Sequence, residues 1–424
     1  MVSINVQPLR ASAARAGCHE ECATVASKRS ASRLSRRCAT VASKRSASRL
    51  SRGTTITGDE VDELSKQIVQ VGIIGQGRSG RNIHAQLVHQ LQDHYRIAAV
   101  ADGIASRREL AEQEFGCRAY ATWEEMAAAE PQLDLIVNAS PSELHYSISL
   151  ELLQRGFHVL CEKPLARSVE EVDALIAAAE RSGKLLAVFQ NSRYAAAFTE
   201  IRRIIDSGVL GRIVQIDITV SGFARRWDWQ TLQEKGGGNL MNTGPHPLDQ
   251  ALQLFGGDAM PQVLCKMDRA NTFGDAEDYV KLLLHGEGRP LIDLEISSCS
   301  AFPGEPFVIQ GTRGGLHGSG TKLEWRYFDE AEAPEQQLTR EPLFNADGKP
   351  AYCSETLPWR TATWEAPAHP RGLSAFDAMT EQLYHMLYRA LVEGAPLEIT
   401  PQQVRVQMQV MEACRRQNPH IYQS

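Results

Sequence analysis

Two side chains in this 424-residue sequence have the chemistry to move a proton to or from a hydroxyl group, and the first is Lys163. It ends the apolar segment 157–163, which is predicted to form a buried strand, and Pro164 follows it. A lysine at a strand end can donate a hydrogen bond to a substrate oxygen, and burial can lower its pKa towards neutrality. A surface lysine or an ion-pair partner of Glu162 would suit the same position, so both alternatives stay open.

The second side chain is His246, in the segment 236–249, where three consecutive glycines let the backbone approach a ligand. Pro245 suits the first turn of a helix predicted over 245–255, and Asp249 lies on the same helical face as His246. A His-x-x-Asp pair could bind a metal ion, but no third or fourth ligand lies nearby in the sequence, so we expect no metal. A histidine that only caps the helix is the alternative to an acid–base role.

A glycine-rich turn provides a candidate cofactor site. Residues 71–80 read VGIIGQGRSG, an apolar strand followed by G-x-G-x-x-G, and a helix is predicted over 81–88. The first glycine allows a tight turn, the second leaves room for a phosphate, and the third lets the helix pack on the strand. A purely structural turn is the alternative. The candidates for contact with a dinucleotide are Gly75, Gln76, Gly77, Arg78, Ser79 and Gly80.

Asp102 ends the next predicted strand, 97–102, and stands 22 residues after Gly80. A carboxylate there can accept hydrogen bonds from the ribose hydroxyls of an adenosine. Arg107 and Arg108 follow and could hold a 2′-phosphate, but Asp102 would repel that phosphate, so we favour NAD over NADP. A helix-capping aspartate is the alternative.

Strands and helices alternate throughout the first half of the chain. This pattern predicts a doubly wound parallel sheet, in which ligands bind beyond the carboxyl ends of the strands. One edge of the sheet should therefore collect the residues that follow each strand. In addition to the glycine turn and Asp102, these include Ser140, Pro141, Glu162 and Lys163. His145 lies in the first turn of the helix that follows Pro141, and all five are candidates for contact with the cofactor. His84, His89 and His94 do not share one helical face, and we expect them to be exposed to solvent.

The second half has a different pattern. Residues 212–222 alternate between apolar and polar, and 278–285 and 290–298 predict a hairpin, with further strands at 307–311 and 323–328. We expect an open, mostly antiparallel sheet with helices on one face. The polar segment 330–372 predicts an insertion or lid, and two helices over 374–393 and 401–416 should close the structure.

The loop that precedes the three glycines has aromatic and charged residues. Trp227 and Trp229 could stack on a polyhydroxylated ring, or they could simply pack the loop. We predict substrate contacts, together with Asn242 and His246, from Arg193, Trp227, Trp229 and Asp249.

Charge and composition exclude several classes of function. Residues 1–57 contain 11 Lys and Arg against 2 Glu and have a net charge of +9, whereas the rest of the chain has a net charge of −15. An acidic body argues against a duplex nucleic-acid partner, and no apolar run is long enough to span a membrane. The nine cysteines are scattered, which favours reduced thiols in the cytoplasm over a disulfide framework.

The amino-terminal segment contains an unusual repeat. The fifteen residues 22–36 recur unchanged at 38–52, and they are rich in Ser, Ala and Arg without an apolar stripe. We expect disorder over 1–65. A recent duplication or mis-set start, a targeting peptide and a basic arm are the three interpretations, and the first is favoured.

These motifs together resemble the glucose–fructose oxidoreductase/inositol dehydrogenase family, called Gfo/Idh/MocA. The shared pieces are GQGRSG, CEKPLA at 161–166 and GGGNLMNTGPHPLD at 236–249. The resemblance implies a Rossmann domain over 66–191, a C-terminal domain over 192–424 and assembly into homodimers or homotetramers. It also implies that Lys163 and His246 are the catalytic residues. Asn242 is the third residue of the catalytic set and would orient the substrate or Lys163. It stands where the family usually has Asp, so proton transfer would rest on His246 and Lys163.

The sequence therefore predicts an NAD(P)-dependent oxidoreductase in the cytoplasm. It would move a hydride between the nicotinamide and a secondary alcohol or ketone of a sugar, a cyclitol or a sugar derivative. Two alternatives stay open. One is an enzyme that uses bound NAD transiently for elimination or hydrolysis, and the other is a non-catalytic nucleotide-binding regulator.

Overall fold

The computed structural model describes residues 67–257 and 259–422, so the expectations for the repeat segment lie outside the described residues. Within the described part of the chain, none of the helices is long and apolar enough to cross a membrane.

The first half forms a six-stranded parallel sheet in the order β3-β2-β1-β4-β5-β6. Its central strands are almost entirely buried, as expected for a sheet that is covered on both faces. The strands are β1 Val69–Ile74, β2 Tyr95–Ala101, β3 Arg118–Tyr120, β4 Leu135–Asn138, β5 His158–Cys161 and β6 Leu186–Val188. This is the doubly wound sheet that the sequence predicts.

Nine α-helices lie in the described residues, and side-chain caps fix where several of them begin. The Ser168 side chain caps one helix, and Thr400 and Gln403 form a capping box on another. The helices are α1 Gln86–Gln90, α2 Ala105–Phe115, α3 Trp123–Ala129, α4 His145–Gln154, α5 Val169–Ser182, α6 Ala196–Asp206, α7 Pro245–Phe255, α8 Ala375–Val392 and α9 Pro401–Gln417.

The second half forms an eight-stranded sheet in the order β16-β13-β12-β11-β7-β10-β9-β8. All of its neighbouring strands are antiparallel except the pair of β7 and β10. The strands are β7 Ile213–Ser221, β8 Gln262–Asp268, β9 Tyr279–His285, β10 Leu291–Ser297, β11 Phe307–Gly311, β12 Gly314–Gly318, β13 Lys322–Tyr327 and β16 Arg360–Glu365. The predicted mostly antiparallel sheet and its hairpin are confirmed.

Alternation along these strands sends one face into the core. Ile216 and Ile218 of β7 and Leu282 and Leu284 of β9 are buried in a core shared with α7 and α9. The opposite face is polar and half-buried, and Lys281 there lies 2.7 Å from Asp293. The sheet therefore has helices on only one side.

The segment between β13 and β16 contains little regular structure. Its only strands are the short pair β14 Leu343–Phe344 and β15 Pro350–Ala351, which bond to each other. The final helices follow it. α8 packs on the first sheet, because Leu383 and Tyr384 share a core with Val71 and Ile73.

Candidate active site

The glycine turn joins β1 to a π-helical segment, Arg78–Ala85, that continues as α1. Gly75 has φ +84°, and a Cβ there would lie 2.4 Å from the Ala139 carbonyl oxygen. A Cβ on Gly80 would lie 1.7 Å from the carbonyl oxygen of Gly75, so the turn cannot close with any larger residue. Gly77 faces open space, with its nearest neighbour, Arg107, 3.7 Å from the position of a Cβ.

The turn has the features of a phosphate cradle. Arg78 is exposed and Ser79 is partly exposed, so both side chains can reach a ligand. The Oε1 atom of Gln76 is buried and has no hydrogen-bond partner among the described residues. An unpaired buried acceptor in this turn, together with the open space at Gly77, fits a dinucleotide, whose hydroxyl groups could donate to that acceptor.

Asp102 lies beside this turn. Its Oδ2 accepts a hydrogen bond from the backbone N–H of Gln76 at 2.7 Å, and its Oδ1 accepts one from the N–H of Ile104 at 2.8 Å. Arg107 approaches the same carboxylate at 3.4 Å. The carboxylate is thus fixed at the carboxyl edge of the sheet, where it retains lone pairs for a ribose.

The segment after β4 forms the opposite wall. His145 is buried, with Nδ1 2.7 Å from the Pro164 carbonyl oxygen and Nε2 2.9 Å from the Ser140 carbonyl oxygen. Burial lowers the pKa of this histidine. His145 therefore ties the Ser140–Pro141 turn to the residues after Lys163, and its ring is not available to a ligand.

Glu162 is buried and ionised. Burial alone would raise its pKa, but the hydrogen bond and charge of His84 and the charge of Lys163 outweigh this and lower the pKa to about 2. Its Oε1 lies 3.3 Å from His84 Nε2, and its Oε2 accepts from the backbone N–H of Lys163 at 3.0 Å. Glu162 therefore holds the residues that follow β5 in place, through its contacts with His84 and with the backbone of Lys163.

The expectation that His84 is exposed is wrong. Its ring is fully buried, and Nδ1 lies 2.8 Å from the hydroxyl of Tyr384 on α8. His89 is exposed and His94 is half-buried against Tyr388. The two partners of His84 come from distant parts of the chain, so residue spacing within one helix cannot reveal that this histidine is buried.

The Lys163 side chain extends from the residues after β5 to the segment 236–249, which contains the three consecutive glycines. Its Nζ donates a hydrogen bond to the backbone carbonyl oxygen of Asn242 at 2.8 Å. Burial lowers the pKa of Lys163, whereas the charge of Glu162 opposes this effect. The amine is thus held in place by a neutral acceptor and retains donors for a substrate oxygen.

His246 lies in the first turn of α7. Its Nδ1 is 3.2 Å from the Ser192 hydroxyl, which follows β6. Burial, and then the charge of Lys163, lower the pKa of His246 to about 4, so the ring is neutral at physiological pH. An unprotonated imidazole can accept a proton, and its low pKa makes it a weaker base than an ordinary histidine.

Two predicted substrate contacts are not supported. Arg193 and Asp249 form a buried ion pair, with Nε 2.9 Å from Oδ2 and a second contact through Nη2. Arg193 also donates to Gln403 and to the Glu398 carbonyl oxygen. Both side chains are occupied and excluded from solvent, so they join α7 to the start of α9 rather than meet a ligand.

A small cavity adjoins Asn242, and Arg226, Gln230 and Thr272 contribute to its lining. The Asn242 side chain donates to Gln230 Oε1 at 2.5 Å, so Gln230 orients this amide. Trp227 and Trp229, on the same loop as Gln230, are 81% and 50% exposed. A larger cleft of about 1160 Å³ lies elsewhere, beside Arg313 and the segment after β13.

Sequence reasoning did not identify Ser192, Gln230 or Tyr384. Each is separated from its partner by at least 12 residues, and their residue types carry no motif. Only the position of Ser192 could have indicated a role, because it directly follows residues 185–191, whose apolar pattern predicts a strand that ends at the ligand-binding edge.

Comparison with known proteins agrees with this fold. Residues 69–190 match the model of the oxidoreductase family with an NAD-binding Rossmann fold, and residues 198–317 match the GFO/IDH/MocA C-terminal domain. An uncharacterized oxidoreductase of Schizosaccharomyces pombe is 26% identical over 81% of this chain and 95% of its own length.

The relatives with named activities include a dehydrogenase of a cyclitol and a dehydrogenase of glucosides. The scyllo-inositol 2-dehydrogenase (NADP⁺) of Bacillus subtilis is 31% identical over 51% of this chain and 62% of its own length. The D-glucoside 3-dehydrogenase of Escherichia coli is 31% identical over 47% of this chain and 58% of its own length. The chain thus matches about three fifths of each of these two enzymes.

A solved structure shows the same fold. The WlbA dehydrogenase from Bordetella pertussis, in complex with NADH and UDP-GlcNAcA, has a TM-score of 0.65 and 20% identity, and the match covers 84% of this chain and 97% of that one. With both family models matched in order along the described residues, the chain belongs to the GFO/IDH/MocA family of NAD-binding oxidoreductases.

Proposed function

We propose that this dehydrogenase moves a hydride between NAD(P) and a secondary alcohol or ketone of a sugar, a cyclitol or a sugar derivative. The observation that carries the proposal is the pairing of Lys163 with the Asn242 carbonyl oxygen, beside a neutral His246. The relatives named for scyllo-inositol and D-glucosides support a polyol as the substrate class.

His246 acts as the base in alcohol oxidation. Its low pKa keeps it unprotonated, and when Nδ1–H donates to Ser192 the Nε2 lone pair is left to take the hydroxyl proton. In ketone reduction the same atom returns the proton. The nicotinamide, when bound, supplies the hydride chemistry.

Lys163 binds the reacting oxygen. Two N–H groups of its protonated amine remain after the bond to Asn242, and they stabilise negative charge that develops on that oxygen. The amide of Asn242, oriented by Gln230, positions a neighbouring substrate hydroxyl. Trp227 and Trp229, which are exposed and close to Gln230 in the sequence, provide stacking surfaces for the substrate.

The remaining assignments follow from charge and architecture. Asp102 favours NAD, because a 2′-phosphate would meet its carboxylate. The polar outer face of the eight-stranded sheet serves assembly into a homodimer or homotetramer. The boundary between the domains 66–191 and 192–424 lies at the loop after β6. The scattered free cysteines suit the cytoplasm.

An absorbance screen at the reduced-nicotinamide band tests this function. Both cofactors are assayed against inositols, glucosides, free sugars and sugar acids. Reduction of NAD by at least one polyol is expected. Release of a leaving group without net reduction would instead identify transient use of NAD, and no turnover of any kind would contradict the proposal.

A further inference from the structure

The glycine segment that holds Lys163 is itself held by a buried carboxyl group. Glu277 is 1% exposed, and its Oε1 accepts a hydrogen bond from the backbone N–H of Leu240 at 2.7 Å. Its own carbonyl oxygen accepts from the N–H of Asn239 at 2.9 Å. These bonds fix the π-helical turn Asn239–Thr243, which presents the carbonyl of Asn242 to Lys163.

The Glu277 carboxyl group packs directly against the backbone of Gly238. This glycine has φ +95°, and a Cβ there would lie 2.6 Å from Glu277 Oε2. The space that a side chain at 238 would fill is therefore occupied by the carboxyl group. Because a positive φ and this close approach both require glycine, Gly238 and Glu277 fit as a pair.

The carboxyl-terminal residues complete the contact. Tyr422 donates its hydroxyl to Glu277 Oε2, and the carbonyl oxygen of its neighbour Ile421 accepts from Gln233 Nε2 at 3.0 Å. Arg415 lies over the Tyr422 ring, with its guanidinium carbon 5.4 Å from the ring centre. Arg415 also contacts Met241, inside the same turn. Arg415, Ile421 and Tyr422 thus pack against the turn Asn239–Thr243 and the residues that precede it.

We propose that Glu277 and Tyr422 are positioning residues for Lys163, and that residues 418–422 thereby help to set the geometry of the active site. The connection runs from the Tyr422 hydroxyl through Glu277 to the Leu240 amide, and from that turn through the Asn242 carbonyl to the Lys163 amine. The catalytic part of this inference rests on the proposed function. The structural part does not: it is the set of bonds by which Glu277 and Tyr422 hold the turn Asn239–Thr243, which we call the clamp.

The chemistry of Glu277 favours this role over simple packing. Burial raises the pKa of this carboxyl group, and the bonds from Tyr422 and Leu240 oppose the rise. A buried carboxyl group is costly, and an apolar residue would fill the core without that cost. The carboxyl group accepts from both the Leu240 amide and the Tyr422 hydroxyl, whereas an apolar side chain would leave both donors without a partner.

Three substitutions test the clamp. Tyr422→Phe removes one hydroxyl and keeps the ring. Glu277→Gln keeps an acceptor for the Leu240 amide and a polar partner for Tyr422, whereas Glu277→Leu removes both. His420→Ala is the matched control, because His420 is exposed in the same segment.

Hydrogen exchange, measured by mass spectrometry on a peptide that spans 236–244, reports on the clamp without any substrate. Exchange should be about tenfold faster in Tyr422→Phe, close to wild type in Glu277→Gln and unchanged in His420→Ala. An unchanged rate in Tyr422→Phe would overturn the clamp. If Glu277→Leu fails to fold, the exchange rate of Tyr422→Phe still decides whether Glu277 and Tyr422 hold the turn.

Turnover then tests the positioning role. With a polyol accepted by the wild type, kcat of Tyr422→Phe should fall about tenfold, whereas the KM for NAD and the affinity for NADH should not change. Faster exchange with unaltered kcat would show that the turn does not position Lys163, and would overturn that role. If the wild type turned over no polyol, the proposed function would fail, and with it the catalytic part of this inference. The exchange result would still decide the clamp.

Discussion

Removing the charge of Asp249 should destabilise the protein strongly, because it leaves Arg193 buried without a counter-ion. The two side chains are only 5% and 3% exposed, and they form two contacts with each other. Asp249→Asn keeps the shape and one acceptor but removes the negative charge. The guanidinium cannot lose its proton, so the cost falls on the folded state.

The size of the effect follows from the burial. Breaking a buried ion pair by changing one partner costs about 3–5 kcal/mol, whereas an exposed pair contributes about 0–1 kcal/mol. Asp173 and Arg405 provide the matched control, because their two contacts have the same residue types but the side chains are 47% and 35% exposed. Asp173→Asn should therefore change the free energy of unfolding by less than about 1 kcal/mol.

Urea denaturation and thermal unfolding of the two variants provide the assay. A loss of about 3–5 kcal/mol in Asp249→Asn corresponds to a fall in Tm of roughly 6–20 °C for a domain of ordinary size. The double variant Arg193→Met/Asp249→Leu should recover much of this loss, since it leaves no buried charge. Equal stability of Asp249→Asn and Asp173→Asn would refute the reasoning. A higher KM for substrate without any loss of stability would restore the predicted substrate contact.

Three further predictions concern cofactor choice and pH. Asp102→Ser should raise the ratio of kcat/KM for NADP to kcat/KM for NAD by about tenfold to a hundredfold, or about 1.4–2.8 kcal/mol, because the repelling carboxylate is gone while Arg107 remains. An unchanged ratio would exclude Asp102 as the determinant of cofactor choice. The acid limb of kcat/KM for alcohol oxidation should lie near pH 4, because His246 stays neutral down to about that pH; a limb near pH 6.5 that vanishes in His246→Gln would contradict this. Glu162 has a pKa lowered to about 2 from 4.5, so the stability it contributes is complete above pH 4.5 and is lost as the pH falls towards 2. Acid titration of unfolding should therefore show a steeper loss of stability in this window for the wild type than for Glu162→Gln, and parallel curves would be evidence against an ionised Glu162.

Much of the architecture could be predicted because the relevant signals are local. The helix over 245–255 begins at Pro245 and ends at Phe255, as its proline and apolar spacing indicate. The glycine turn and Asp102 meet because each follows a parallel strand, and adjacent parallel strands end at one edge. The same rule brings Lys163 to that edge.

The errors concern partners that are distant in sequence. His84 was expected in solvent, yet Tyr384 lies 300 residues away and Glu162 lies 78 residues away. Arg193 and Asp249 have the types of substrate ligands, and only the packing of α7 against the loop after β6 shows that they bind each other. Burial of a polar side chain depends on the tertiary fold, and a single sequence gives no direct signal for it.

Transfer of deuterium from a polyol to the nicotinamide is the most direct test of the central claim. A substrate of the wild type is prepared with deuterium on the reacting carbon, and NADH is analysed by mass spectrometry. The wild type should accumulate deuterated NADH, and Lys163→Met should do so at least about a hundredfold more slowly while it still binds NADH. Absence of deuterated NADH from the wild type, or a wild-type rate in Lys163→Met, would contradict the proposed hydride transfer at this site.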